Sequence, residues 1–309
     1  MSSIRDTLSE FKSGQLDKAG FIRAMHQRHH STLFDYAEHL AQTNIKRIEI
    51  EHGRVIMTTR DRGLRMICPP LDHRVAPIET LNFFDYEKDD SDMIEALVGP
   101  GDVFFDIGAN MGWYSILVAL AQRSAQVHAF EPLPHTFACL QQNLSLNPVR
   151  NVSAYPFGFS DLAGTFDFFH HPQGSGNASA VNLSERPDVT ITPCSVRTLD
   201  DFATELGQRI AFIKCDVEGA ELLVFRGGQQ TIARDLPIVF SEILRKWSTK
   251  FGYDPNQIFD FFADLGYYAY TAKAGRLERF GRMDDSTKAT NFFFLHPQRH
   301  KQAIARFKT

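Results

Sequence analysis

Between residues 103 and 296, short segments rich in β-branched and aromatic residues alternate with stretches of helical spacing. Few architectures accommodate that alternation. A strand followed by a helix returns the chain to the edge it left, so successive strands pair in parallel and helices cover the sheet. Strand-like segments are 103–106, 127–131, 152–157, 212–216, 238–242, 267–271 and 292–296, and helix-like segments are 111–121, 135–143, 200–206, 222–231 and 255–265. The expected fold is α/β, a mostly parallel seven-stranded sheet with helices on both faces, ending in an antiparallel pair.

The first hundred residues do not share this pattern. From residue 4 to 40 apolar residues recur at mostly helical spacing, broken at Ser13-Gly14, which predicts a helical hairpin. "IKRIEI", "RVIMTT" and "LRMICP" then alternate around the turn signals His52-Gly53 and Asp61-Arg62-Gly63, as a small β-meander does. We therefore divide the chain into an extension, 1–76, suited to capping an acceptor or to dimerisation, and a main domain, 77–309. "DDSDMIEALVGPGD" reads as a short helix delivering the chain into the opening strand. Residues 170–189 are polar and glycine-bearing without a period, and a loop of that length is usually functional.

With 309 residues, 43% of them apolar, the chain can bury a full core. A net charge of −4 lacks the basic excess that phosphate binding demands, so no nucleic-acid partner is expected. Cys68, Cys139, Cys194 and Cys215 form no CxxC pair, which fits reduced thiols and a cytoplasmic protein. No apolar run approaches the roughly 20 residues that span a bilayer, so no membrane insertion is expected, and the amino terminus lacks the apolar centre of a leader.

The chemistry concentrates in "VFFDIGANMGWYSILVAL". A dinucleotide fingerprint, G-x-G-x-x-G, uses its middle glycine to bring backbone against a pyrophosphate. Here the turn carries Gly108 and Gly112, Asn110 stands where that glycine would be, and Asp106 precedes them. A carboxylate at this point disfavours an anionic ligand and suits a cationic one. S-adenosylmethionine, with its ammonium and sulfonium groups, meets that requirement. Glu131, ending the second strand, would accept both ribose hydroxyls. Asn110 also counts against a nicotinamide oxidoreductase.

"DVFFDIGANMGWYSILVA", "VHAFEPLPHTFACLQQNLSLN", "PFGFSDLAGTFDF", "VRTLDDF", "FIKCDVEGAELLVFRGG" and "PIVFSEI" resemble, in order and spacing, the FkbM family of S-adenosylmethionine-dependent methyltransferases. The resemblance runs from about residue 101 to 242, with a weaker echo in "ATNFFFLHP". It implies a Rossmann-like class I methyltransferase fold and O-methylation of a hydroxyl on a saccharide or glycosylated metabolite. Carried over by position, Asp106, Gly108, Asn110 and Gly112 would seat the methionine part, Glu131 the ribose, and Asp161 would sit beside the adenine. Trp113-Tyr114 and Cys215 depart from residues common in the family.

Reacting groups in such sheets gather at the carboxyl ends of the strands. Asp216, Glu218 and Glu242 are expected there. A sugar hydroxyl is a poor nucleophile until its proton is taken, and a positioned base contributes about 10²–10⁴-fold. Asp216 or Glu218 is the first choice for that base. Lys214 is read as their counter-ion. The same three acids could instead hold Mg²⁺; the metal-free reading is preferred. His170, at the head of the polar loop, is a further candidate base. His26, His29 and His30 read as a solvated helix face, and Trp247 with Phe251 as core or an acceptor wall. Other readings are an O-methyltransferase on a polyketide, lipid or protein hydroxyl, and a non-catalytic module binding the cofactor or a glycan. The partners expected are a small-molecule or glycan acceptor and a second copy in a homodimer.

Overall fold

Ser3 opens the first helix with reciprocal bonds, its hydroxyl accepting from the Asp6 N–H and the Asp6 carboxylate from its own. The computed structural model describes residues 3–171, 174–182 and 189–308. Helix α1 (Ile4–Lys12) is followed by α2 (Lys18–Met25), a π-helical turn at His26–His30, and α3 (Ser31–Leu40). Phe11 stacks on Phe21 at 4.5 Å, but Ile22, Leu33 and Phe34 remain exposed. An antiparallel meander comes next, β1 (Ile45–Glu51), β2 (Arg54–Thr59) and β3 (Arg65–Cys68). Helices α4 (Ala76–Phe83) and α5 (Lys88–Leu97) lead to the main domain.

There the alternation predicted from sequence is realised. The run is β4 (Val103–Ile107), α6 (Trp113–Ala121), β5 (Gln126–Phe130), α7 (Pro134–Leu146) and β6 (Val152–Tyr155). A second sheet intervenes, formed by β7 (Gly158–Phe159), β8 (Gly164–His171), β9 (Gly174–Ser179) and β10 (Thr190–Arg197). After α8 (Leu199–Leu206) come β11 (Phe212–Cys215), α9 (Glu221–Arg226), α10 (Gln229–Asp235) and β12 (Ile238–Glu242). Helices α11 (Arg245–Ser248) and α12 (Asn256–Asp264), strands β13 (Tyr268–Lys273), β14 (Arg276–Phe280) and β15 (Asn291–Leu295), and α13 (Lys301–Phe307) complete the chain.

The main sheet has the order β14-β13-β15-β12-β11-β4-β5-β6, parallel from β12 to β6 and antiparallel beyond. It is a Rossmann-like α/β sheet with eight strands, one more than expected. The additional strand, β14, is an edge strand whose charged side chains face solvent, so it shows no apolar run. Residues 170–189 also differ from the loop expected. His170 and His171 end β8 and residues 174–179 form β9, while 172–173 and 183–188 lie outside the described residues. Small, polar residues hide a strand from any reading based on apolar alternation.

Every residue of β4 is buried, as helices on both faces require. Phe104, Phe105, Phe130, Phe212, Phe240, Phe292, Phe293 and Phe294 are almost wholly enclosed, each contributing about 1.5–3 kcal/mol of transfer free energy. Chain order reverses between β4 and β11, which opens the crevice where such sheets bind ligands. The extension is tied to this point by buried Asn143 on α7. Its amide donates to the Met111 carbonyl at 2.9 Å and accepts from the Ile67 N–H of β3 at 2.8 Å.

Candidate active site

The loop after β4 is shaped by contacts that tolerate few other residues. Gly108 has φ +73°, and a Cβ there would lie 1.8 Å from the Asp216 carbonyl oxygen. Gly112, with φ +93°, caps α6 against Leu140. Asn110 takes a left-handed φ of +49°, which asparagine bears better than most residues. Its N–H donates to Glu131 Oε2 and the Leu133 N–H to Glu131 Oε1, both at 3.0 Å. Burial pushes the Glu131 carboxyl up to about 7, and these two N–H groups limit the rise. Asn110 Oδ1 is buried without a partner. A backbone cradle, an orphaned acceptor and a buried carboxylate able to take two more hydroxyl protons fit the ammonium and ribose of S-adenosylmethionine.

Asp106 lies beneath the loop, fully buried. Ser115 Oγ donates to its Oδ2 at 2.5 Å, and Lys214 Nζ stands 3.4 Å from its Oδ1. Lys214 also donates to the Gly108 carbonyl at 2.7 Å and pairs with Asp216 at 3.5 Å, as its reading as a counter-ion requires. Burial alone would strip its charge; Asp216 and Asp106 outweigh that and hold the ammonium above its ordinary range.

Asp216, Glu218 and Glu242 do converge. Each offers a carboxylate oxygen, all within 4.8 Å of one another. Glu218 adopts φ +55°, a conformation costly for a residue with a Cβ, and its Oε2 is buried without a partner. Burial first, then the charges of Asp216 and Glu221, push its carboxyl well above the usual range. Glu242 is pushed up to about 10 by burial and by the charges of Asp216 and Glu218, and hydrogen-bonds to Asp216. Three carboxylates so close cannot all ionise unless a cation joins them. Burial and neighbouring charge thus favour the protonated form of Glu218 and Glu242, while Asp216 pairs with Lys214 at 3.5 Å.

Residues 106–268, just over half of the chain, match the Methyltransferase FkbM domain. The chain belongs to the FkbM methyltransferase family. It is 31% identical over 157 residues to the 2-O-methyltransferase NoeI of Sinorhizobium fredii, covering 46% of this chain and 63% of that protein. It is 32% identical over 155 residues to the 31-O-demethyl-FK506 methyltransferase FkbM of Streptomyces tacrolimicus, covering 41% and 60%. The hexuronic acid methyltransferase AglP of Haloferax volcanii is 32% identical over 128 residues, covering 41% and 49%. The match thus spans from about half to somewhat under two thirds of these relatives' lengths.

Within this FkbM domain two further expected residues stand apart from the loop and the acids. Asp161 is exposed after β7, accepting from Ser160 Oγ at 3.1 Å, and its backbone packs where a Cβ on Gly227 would fall. His170 sits on β8 with Nε2 3.0 Å from Thr192 Oγ1, lining a cavity with Met111 and Leu133. Burial, then His135 and His171, lower its pKa. Trp247 and Phe251 pack against Gly219. His29 reaches Thr7 Oγ1, and among the described residues the acid cluster is the only His/Cys/Asp/Glu group able to hold a metal.

Two acids escaped the sequence reading. Glu221, buried, accepts from the Val217 and Gly219 N–H groups at 3.0 and 3.1 Å, and so holds the turn that carries Asp216 and Glu218. An acid opening a helix just after a glycine was the signal available. Glu87, from the segment before α5, accepts from Tyr114 Oη, and burial pushes it up to about 7 beside Asp216. Nothing local in the sequence marks it, because it arrives from outside the FkbM domain.

Proposed function

We propose that this protein transfers a methyl group from S-adenosylmethionine to a hydroxyl of a saccharide or glycosylated metabolite. The observation that carries the reading is the convergence of Asp216, Glu218 and Glu242 beside the Gly108–Gly112 loop, whose carbonyl Lys214 links directly to Asp216. The names of the relatives support O-methylation, and AglP's supports a sugar acceptor.

When bound, S-adenosylmethionine supplies an electrophilic methyl group whose sulfur leaves with the C–S electron pair. Asp216 is the base. Half-buried and held 3.5 Å from the Lys214 ammonium, it would take the proton of the acceptor hydroxyl. Glu242 and Glu218, protonated, donate hydrogen bonds that orient the acceptor hydroxyl. Asn110 and Glu131 hold the ammonium and ribose ends.

Calorimetry with S-adenosylmethionine and S-adenosylhomocysteine tests the cofactor assignment, and absence of binding by both would sink it. Asp216→Asn is expected to bind S-adenosylhomocysteine within about 3-fold of the parent and to lose about 10²–10⁴-fold in kcat. Unchanged turnover, followed by mass on a glycoside panel, would refute the base. The spacing of the three carboxylates favours one second reading, in which they hold Mg²⁺. Loss of turnover in EDTA with recovery on adding Mg²⁺ would establish it over the metal-free base.

A further inference from the structure

Trp113 and Tyr114, which follow the Gly108–Gly112 loop directly and depart from residues common in the family, are both buried and take partners from one short segment ahead of the matched domain. Trp113 Nε1 donates to Ser91 Oγ at 3.1 Å, and the Tyr86 ring meets the indole at a steep angle, centroids 5.1 Å apart. Tyr114 Oη donates to the Glu87 carboxylate. Residues 86–91 thus clasp the first turn of α6. The clasp is itself anchored, since Asp89 accepts from the Ala274 N–H at 3.0 Å and Asp90 from Asn291 Nδ2 at 2.8 Å.

Within this clasp Glu87 has a φ of +41°, a left-handed value that is costly for a residue with a Cβ and persists where the surroundings fix it. Its side chain ends on Tyr114, and the Lys214 ammonium lies over that ring, 5.7 Å from its centroid, within reach of a cation–π contact. The same ammonium donates to the Gly108 carbonyl at 2.7 Å and stands 3.4 Å from Asp106 and 3.5 Å from Asp216. A lysine is a compact charge on a flexible stem, so its place depends on what packs around it. Phe240 holds the body of the Tyr114 ring, centroids 5.7 Å apart, and Glu87 holds its hydroxyl.

We propose that Glu87 is a positioning residue of the active site: through the Tyr114 ring it holds the Lys214 ammonium where that group joins the Gly108 carbonyl to Asp216. The inference rests on the methyltransfer reading and adds to its site a residue from outside the matched domain. The relay runs from a carboxylate, through a hydroxyl and an aromatic face, to the one ammonium that touches both the cofactor loop and the base.

The test is calorimetry with S-adenosylhomocysteine on the full chain and its variants, with thermal unfolding measured alongside. Glu87→Ala and Tyr114→Phe each remove the tether and are expected to weaken S-adenosylhomocysteine about 10-fold. The double variant should bind no more weakly than either single one, because both break the same link. Glu87→Gln, whose amide oxygen still accepts from Tyr114 Oη, should bind within about 3-fold of the parent. Tyr114→Phe keeps the ring and its packing, so it decides the matter should Glu87→Ala fail to fold. Three outcomes would overturn the inference: a lowered Tm with unchanged affinity in both tether variants, additive losses in the double variant, or a loss in Glu87→Gln equal to that in Glu87→Ala, which would make the charge and not the tether the active element. Failure of the parent to bind S-adenosylhomocysteine or S-adenosylmethionine would instead sink the methyltransfer reading, and this inference with it.

Discussion

Gly108 shows how little freedom the site allows a single residue. A methyl group there meets the Asp216 carbonyl oxygen at 1.8 Å, and the backbone on either side is pinned by Lys214 and by the N–H bonds to Phe130. Gly101 has a similar φ, +80°, with open space around it. Gly108→Ala is therefore expected to cost more than about 3 kcal/mol and Gly101→Ala about 1 kcal/mol, in thermal or urea unfolding. Equal losses would mean that φ alone governs both positions. Both glycines could be read from sequence as turn formers. The difference between them could not, because the atom that forbids alanine at 108 lies more than a hundred residues away. Asp106 teaches the same point. Its place at the end of a strand was legible, whereas its burial against Ser115 and Lys214 depends on which neighbours the sheet supplies.

At the scale of elements, the acid-bearing turn between β11 and α9 depends on one residue that no chemistry-based reading selected. Glu221→Ala would leave the Val217 and Gly219 N–H groups without their acceptor, at about 1–3 kcal/mol for each buried donor. The expected outcome in urea unfolding is a loss of roughly 2–4 kcal/mol with impaired turnover. Glu221→Gln, which keeps the accepting oxygen, should recover most of the stability. Full stability of the alanine variant would show that the turn holds itself. The elements themselves were mostly legible, since buried β-strands and amphipathic helices announce themselves by period. Strands β7 to β10 and β14 were not, because they are very short, made of small polar residues or largely turned to water.

For the molecule as a whole, the concentration of buried acids sets how stability responds to pH. Glu87, Glu131 and Glu221 are each pushed up to about 7 and Glu242 to about 10, burial being the largest cause for all four. In the unfolded chain these groups ionise near 4.5. The folded state therefore holds extra protons, its stability is greatest relative to the unfolded chain at low pH, and that advantage is lost as pH rises through the folded values. Histidines lowered by burial, such as His300 at about 4, act in the opposite direction only up to their unfolded value near 6.5. Above pH 7 the acids dominate. Between pH 7 and 9 the ligand-free protein should lose about 1.4 kcal/mol per pH unit for each proton retained, on the order of 5 °C in Tm overall. Glu242→Gln should flatten that slope, and a Tm that rises from pH 7 to 9 would contradict the protonated cluster.

The sequence by itself determined the class of fold and the order of the elements of its main sheet, and it marked the loop and the acids proposed here as the site. It could do so because strand and helix periods, glycine turns and strand-end acids are local patterns, each written within about ten residues. Tertiary structure alone decided that Glu87 joins Asp216, that Lys214 binds both Asp106 and the Gly108 carbonyl, and that the extension lines a cavity with the second sheet. These depend on which distant segments the sheet order brings together. Proximity in space, and the shifts in proton affinity that follow from it, leave no trace in the spacing of residues along the chain.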